Sequence, residues 1–210
     1  PTADRAYLVN RVAAEKYPDV KFTAFGGLCL NHPVGGLNPD AVETSLKLGA
    51  KVIWLPTNTA ENHYRKNGKD PSKGVVVTRD GKAVDELQDI FALVKQYNAV
   101  LATGHIGAEE CFPVVEAARA AGVEKIVVTH PEFWVVGMTQ EQQAEIVRKY
   151  DVLLESVYAQ PVNGGYKINI PDNIAAMKAI GPEHFVISTD SGQTVNPYWY
   201  ESYTTYFKAV

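Results

Sequence analysis

The chain is poor in the residues that several protein classes depend on. Its 210 residues include only two cysteines, Cys29 and Cys111, far apart and without CxxC spacing. This argues against a disulfide framework or a thiolate metal site, so both read as small buried hydrophobes, and a reducing cytoplasm is the expected location. No run of sequence approaches the roughly 20 apolar residues that a membrane span needs. Twenty Lys and Arg stand against 24 Asp and Glu, a net charge of −4, which leaves no basic footprint for nucleic acid or an anionic membrane. The segment Lys66–Lys73 (KNGKDPSK) is too short and too mixed in charge to supply one, and reads as a solvated loop. Neither GxGxxG nor GxxxxGK[ST] follows any apolar run, so the usual phosphate-cradling signatures are missing too.

What is present is an ordinary globular balance, 46% apolar and 21% charged, with length enough for one sizeable domain over residues 1–210. Six short apolar runs recur: Phe22–Leu30, Lys51–Leu55, Ala99–Thr103, Lys125–Thr129, Val152–Glu155 and Phe185–Thr189. Their apolarity is continuous rather than alternating, as in parallel strands buried on both faces. Helical patterns lie between them. Thr2 is placed to cap a helix over Ala3–Lys16, with Tyr7, Leu8, Val12 and Ala13 on one side. Leu87, Ile90, Phe91 and Val94 form one stripe on Val84–Tyr97. Ala108–Ala121 stops at Gly122, Thr139 and Gln142 make a capping box for Glu141–Lys149, and Pro171-Asp172 opens a helix ended by Gly181-Pro182. Tyr198–Val210 reads as a further helix, and Asp80-Gly81 as the turn of an inserted hairpin.

Strand and helix in alternation predict an α/β fold with a parallel sheet. Between an open doubly wound sheet and a (β/α)8 TIM-type barrel, the strand ends favour the barrel, whose carboxyl-terminal rim builds its active site. The runs end in Asn31-His32, Pro56-Thr57-Asn58, Thr103-Gly104-His105, Thr129-His130-Pro131, Glu155 and Asp190-Ser191-Gly192. On a barrel rim, His105, His130 and Asp190 form a candidate metal site: two imidazoles and a carboxylate suit zinc or a similar divalent ion, and the ion acidifies its water toward a pKa of roughly 7. Asp190 is also the candidate catalytic base. His63 and Glu155 are candidate substrate-binding residues; a surface-loop histidine is the alternative for the first, and a metal ligand or a structural ion pair for the second. His32 and His184 read as loop residues. Gly26-Gly27 and Gly35-Gly36 most simply mark close backbone packing and tight turns.

The strings PTADRA, FGGLCLNHPVGGLNPDAVE, AKVIWLPTNTAENH, LATGH, VVTHPEF and ISTDSG resemble an uncharacterised branch of the amidohydrolase superfamily. The resemblance implies a distorted (β/α)8 barrel and metal-dependent hydrolysis. It places the fifth-strand histidine on His105, the sixth-strand histidine on His130 and the eighth-strand aspartate on Asp190. The superfamily's first-strand HxH pair has no counterpart in these residues. Counting back from His105 makes Phe22–Leu30 strand three, so the chain carries six of the eight units, strands three to eight. Strands one and two are expected from a preceding segment or from another chain, since a barrel short of two strands exposes two edges.

The functional expectation is a hydrolase in which metal-bound hydroxide attacks a C–N or C–O bond of a small molecule while Asp190 moves the proton. One or two divalent ions, zinc first, are the implied cofactors, and a homo-oligomer is expected unless a missing N-terminal segment completes the barrel. The rivals are an amidohydrolase-type decarboxylase or hydratase and a catalytically inactive scaffold that retains the barrel. A phosphosugar-binding barrel without metal is weaker, because Asn163-Gly164-Gly165 and Ser191-Gly192 are poor phosphate loops.

Overall fold

A computed structural model of the chain describes residues 2–158, 170–194 and 196–210. It divides into two compact units, Pro1–Val127 and Val128–Val210. Asn163-Gly164-Gly165 lies outside the described residues.

The first unit is built on β1 (Gly26–Cys29), β2 (Ala50–Trp54), β5 (Val100–Ala102) and β6 (Lys125–Val128), which enters the second unit at its last residue. They pair in parallel in the order β1-β2-β5-β6. A two-stranded antiparallel hairpin, β3 (Thr78–Arg79) and β4 (Lys82–Ala83), turns on Asp80 (φ 51°) and Gly81 (φ 72°). Two consecutive positive φ values are what a tight primed hairpin turn requires, as the Asp-Gly pair predicts.

Helices α1 (Ala3–Lys16), α2 (Pro39–Lys47), α3 (Glu61–Lys66), α4 (Leu87–Gln96) and α5 (Ala108–Ala120) connect these strands. The α4 stripe is fully inside: Leu87, Ile90, Phe91 and Val94 are each 0% exposed. Each such side chain is worth roughly 1.5–3 kcal/mol relative to exposure, which makes α4 an anchor of this unit. The helix starts later than Val84 because Leu87 N–H and Gln88 N–H first close turns onto the carbonyls of Val84 and Asp85. The two glycines of the first strand are packing glycines. A Cβ on Gly26 would lie 2.5 Å from Ala3 Cα, and one on Gly27 would lie 2.4 Å from the Trp54 ring. The pairing register also shifts between them, which confines the strand to Gly26–Cys29 and leaves residues 22–25 outside it.

Helix α1 has the predicted bounds but not the predicted cap or face. Thr2 makes no side-chain capping bond, and its buried residues are Ala3 and Ala6. Tyr7, Leu8 and Val12 are exposed. Small residues let the helix approach β1 closely, and the large apolar ones turn outward.

The second unit holds β7 (Leu153–Val157) and β8 (Phe185–Ser188), paired in parallel, with α6 (Gln140–Tyr150), α7 (Ile170–Ile180) and α8 (Trp199–Ala209). Thr139 and Gln142 form the expected capping box on α6. Continuous burial holds for Leu101 and Ala102 in β5 but not for β8, where no residue is buried and Val186 is 38% exposed. Glu155 lies inside β7, not at its end, because pairing with β8 continues through Val157. The strand therefore ends two residues later, at buried, apolar Val157. In all, six of the described strands run parallel in an α/β arrangement.

Candidate functional site

In the first unit the chain fixes its candidate residues through backbone contacts. Asn31, just after β1, accepts from Thr57 N–H (2.9 Å), Thr59 N–H (3.2 Å) and Thr59 Oγ1 (3.0 Å) at one oxygen, and donates from Nδ2 to Thr57 Oγ1 (2.7 Å). One amide thus folds the loop after β2 into a fixed turn, from which α3 emerges carrying Asn62 and His63. Asn31-His32 reads from sequence as a strand end. The structure makes Asn31 a bracket, while the His32 ring nitrogen lies 2.7 Å from the Lys73 carbonyl.

His105 follows β5 through Gly104, at φ 65°. A Cβ on Gly104 would lie 2.5 Å from the Leu55 carbonyl oxygen and 2.7 Å from that of Pro56, so both conformation and space require glycine. His105 N–H donates to Pro56 O (3.0 Å), and His105 O accepts from Nδ2 of buried Asn62 (3.0 Å). Both of its backbone polar groups are therefore tied to the segment after β2. The result is a pair of imidazoles: Nδ1 of His63 lies 2.8 Å from Nδ1 of His105, with the rings stacked at 4.9 Å and 15°. Burial, with a lesser contribution from Lys69, holds His63 below its ordinary pKa. A neutral imidazole keeps a lone pair available as hydrogen-bond acceptor or metal ligand. The two Nδ1 atoms are hydrogen-bonded to each other, so one carries the proton and the other accepts it. Among the described residues, no cluster of three or more His, Cys, Asp or Glu side chains is close enough to hold a metal.

The expected triad is shared out, with His105 in the first unit and His130 and Asp190 in the second. In the second unit the backbone is strained where the sequence places chemistry. His130 (φ 26°) and Asp190 (φ 46°) are positive-φ residues directly after β6 and β8. The other described non-glycine cases, Asp80, Asn98 and Asp151, are Asp or Asn in turns and at helix ends, where short polar side chains tolerate that conformation. His130 is buried as well, and its φ of 26° lies outside the usual left-handed well, which is strain of the kind that collects at functional positions. His130 is 3% exposed and stacks on Phe133 at 4.3 Å, and burial pushes its pKa down to about 4.

Three carboxyls of this unit move the other way. Burial raises Glu155, opposed by a hydrogen bond from Ser188 and reinforced by the charge of Asp190. Asp190 is raised by desolvation, although the residue is exposed and water offsets part of that push. Glu132, two residues after His130, is pushed up to about 7, chiefly by burial, with Glu155 and Asp172 adding repulsion. Glu132 was not legible as a candidate. It sits in the irregular THPEF segment, off any strand end, and only its position beside His130 could have drawn attention. Asn62 escaped notice similarly, as a buried polar residue on a six-residue helix. Cys111 is fully buried and its thiol is pushed up by burial, in keeping with a small hydrophobe. No described helix is long and apolar enough to cross a membrane.

Comparison with known proteins places this geometry in a fold. An amidohydrolase from Pseudomonas aeruginosa superposes with a TM-score of 0.54 at 15% identity, over 95% of this chain and 59% of its own. A 2,6-dihydroxybenzoate decarboxylase complexed with 2,6-dihydroxybenzoate superposes with a TM-score of 0.51 at 14% identity, over 99% of this chain and 69% of its own. The likeness to both is one of fold, an α/β arrangement with parallel strands, and the chain spans less than two thirds of the length of the first of these structures. No curated protein matches the sequence. A family model described as a family of unknown function, DUF6282, matches residues 1–155, and the chain belongs to that family.

Proposed function

We propose that the protein is a metal-dependent hydrolase of the amidohydrolase type, acting on a C–N or C–O bond of a small molecule. The observation that supports this reading is the fixed placement of His105, whose backbone is tied to Pro56 O and Asn62 Nδ2 after a glycine that no other residue can replace, with the His63 imidazole beside it at 2.8 Å. His105, and in the other unit His130 and Asp190, are the residues we assign to the metal, each from its own strand end. A divalent ion such as zinc supplies Lewis acidity when bound. Asp190 carries the proton on its carboxylate, and the upward push on that group suits a carboxyl that must both accept and release a proton near neutrality. His63 and Glu155 contact the substrate. The six parallel strands are strands three to eight of an eight-stranded barrel, with the remainder supplied by a preceding segment or a second copy.

Decarboxylation is the second reading, supported by the likeness in fold to the 2,6-dihydroxybenzoate decarboxylase. One experiment separates the alternatives: metal analysis of the purified protein beside His105→Ala, His130→Ala and Asp190→Asn, followed by assays for amide and ester hydrolysis and for CO2 release from 2,6-dihydroxybenzoate. Stoichiometric zinc or a similar ion in the parent, lost in both histidine variants, is the expected result. Protein that folds and assembles, yet takes up no metal even when supplied with it, would instead identify an inactive scaffold.

A further inference from the structure

Adjacent residues in the first turn of α3 grip His105 twice. Asn62 Nδ2 donates to its backbone carbonyl (3.0 Å), and His63 Nδ1 lies 2.8 Å from its ring Nδ1. His63 is anchored in turn, its own carbonyl accepting from Asn67 N–H (3.1 Å) and Asn67 Nδ2 (2.8 Å). The contact between the rings is nitrogen to nitrogen, so it constrains where protons sit as well as where the rings sit. A hydrogen bond between two neutral imidazoles places one proton between the facing nitrogens, donated by one ring and accepted by the other. Each neutral ring carries a single proton. The donor ring therefore has its lone pair on Nε2, and the acceptor ring has its proton there. One hydrogen bond makes the two Nε2 atoms unlike: the first accepts or ligates, the second donates.

We propose that His63 is a positioning residue that holds His105 as the Nδ1–H tautomer, with the lone pair of His105 on Nε2. Metal-ligating histidines generally donate their other ring N–H to an acceptor, which fixes both tautomer and ring orientation. Here the acceptor is His63 Nδ1, and the clamp from Asn62 keeps the two rings in register. The direction of donation rests on the reading of His105 as a metal ligand, whereas the unlikeness of the two rings does not. In this arrangement His63 keeps its own proton on Nε2, so toward a substrate it is a hydrogen-bond donor and not an acceptor.

The test reads tautomers directly, by long-range proton–nitrogen NMR of the isotope-labelled full chain with a chelator at pH 8, where an ordinary imidazole is neutral. His105 should carry its proton on Nδ1 and His63 on Nε2. In His63→Leu the preference of His105 should fall by roughly fivefold, the worth of one net hydrogen bond, and His63→Asn should restore it because Oδ1 accepts in place of Nδ1. Titration of chelator-free protein with zinc chloride is the second arm: affinity should fall by roughly 10–100-fold in His63→Leu and recover in His63→Asn. The proposal is overturned if His63 proves to be the donor, if both rings carry their protons on Nε2, or if His63→Leu keeps the parent's His105 tautomer or zinc affinity. Should His63→Leu fail to fold, the tautomers of the parent decide the matter. A parent that holds this tautomer yet takes up no zinc would uphold the positioning role and remove the metal reading.

Discussion

The two units hold their candidate groups by opposite means. In the first, His63 and His105 are placed chiefly by geometry, with a lowered His63 pKa beside it: a glycine where no other residue fits, an asparagine on a carbonyl, a second asparagine bracketing the loop. In the second, the candidate groups sit where their charged forms or backbone conformations are disfavoured. His130 is held neutral, Glu132 and Glu155 are held toward protonation, and two residues adopt positive φ. The difference predicts that the units will respond to different perturbations.

The largest effect should come from breaking the geometry of the first unit. Gly104→Ala forces a Cβ against two backbone carbonyls at positive φ, and neither carbonyl can yield without disturbing β2. A loss of roughly 3 kcal/mol or more is expected in urea unfolding, from strain and overpacking together. A loss below about 1 kcal/mol would mean that the turn relaxes freely and that His105 is not rigidly placed.

The second unit should respond to pH. Glu132 is raised from an ordinary 4.5 to about 7, so its contribution is fully present below pH 4.5 and is lost as pH climbs through 7. The shift corresponds to roughly 3–3.5 kcal/mol. His130, lowered from 6.5 to about 4, has the opposite sign: its contribution is present above 6.5 and is lost as pH falls through 4. Between 4.5 and 6.5 the two slopes oppose, and above that range Glu132 dominates. In metal-free protein, Glu132→Gln should therefore remove the downward slope that Glu132 contributes between pH 4.5 and 7 and leave the upward slope of His130 unopposed below pH 6.5. An unchanged profile in that variant would show that the carboxyl is not the group responsible.

Much of this architecture is legible in the amino-acid order, because strands buried in parallel sheets are written as short Val, Ile and Leu runs. Five of the six predicted runs match a strand to within two residues at each end, and the first is cut to its glycine-rich half by packing against α1. The exposed face of α1 and the half-exposed β8 were not legible, since apolarity states what a residue prefers and not whether the fold supplies a partner. At the candidate site, His63, His105, His130, Glu155 and Asp190 are readable as residue types near strand ends. The imidazole pairing is not. It depends on how Asn31 turns the loop after β2, a contact between residues 26 and 28 positions apart in the chain.

A smaller effect sharpens the same contrast. Asn62→Ala removes the donor to His105 O, and leaving a carbonyl without that partner should cost about 2 kcal/mol. The more informative readout is the pair of imidazole titrations by NMR. With His105 released, the two rings should titrate closer to independently, whereas the titration of His130 should not move. Movement of His130 would show that the placement of His105 and the protonation of the second unit are coupled.

The smallest effect tests where the contrast ends. Helix caps are the same device in both units: Thr139 Oγ1 accepts from Gln142 N–H (3.2 Å) on α6, and Asn38 Oδ1 accepts from Asp40 N–H (3.1 Å) and Ala41 N–H (3.3 Å) on α2. Neither cap touches a candidate ligand, so Thr139→Ala should cost about 1 kcal/mol in thermal unfolding and Asn38→Ala at least as much, since it also loses the Nδ2 bond to Val34 O. Losses in that order would confine the difference between the units to their strand ends. A clearly larger loss for Thr139→Ala would mean that the strained turn at His130, which leads into α6 through residues 131–138, relies on that helix to stay in place. The strain would then be a property of the whole second unit, and not of the two residues that display it.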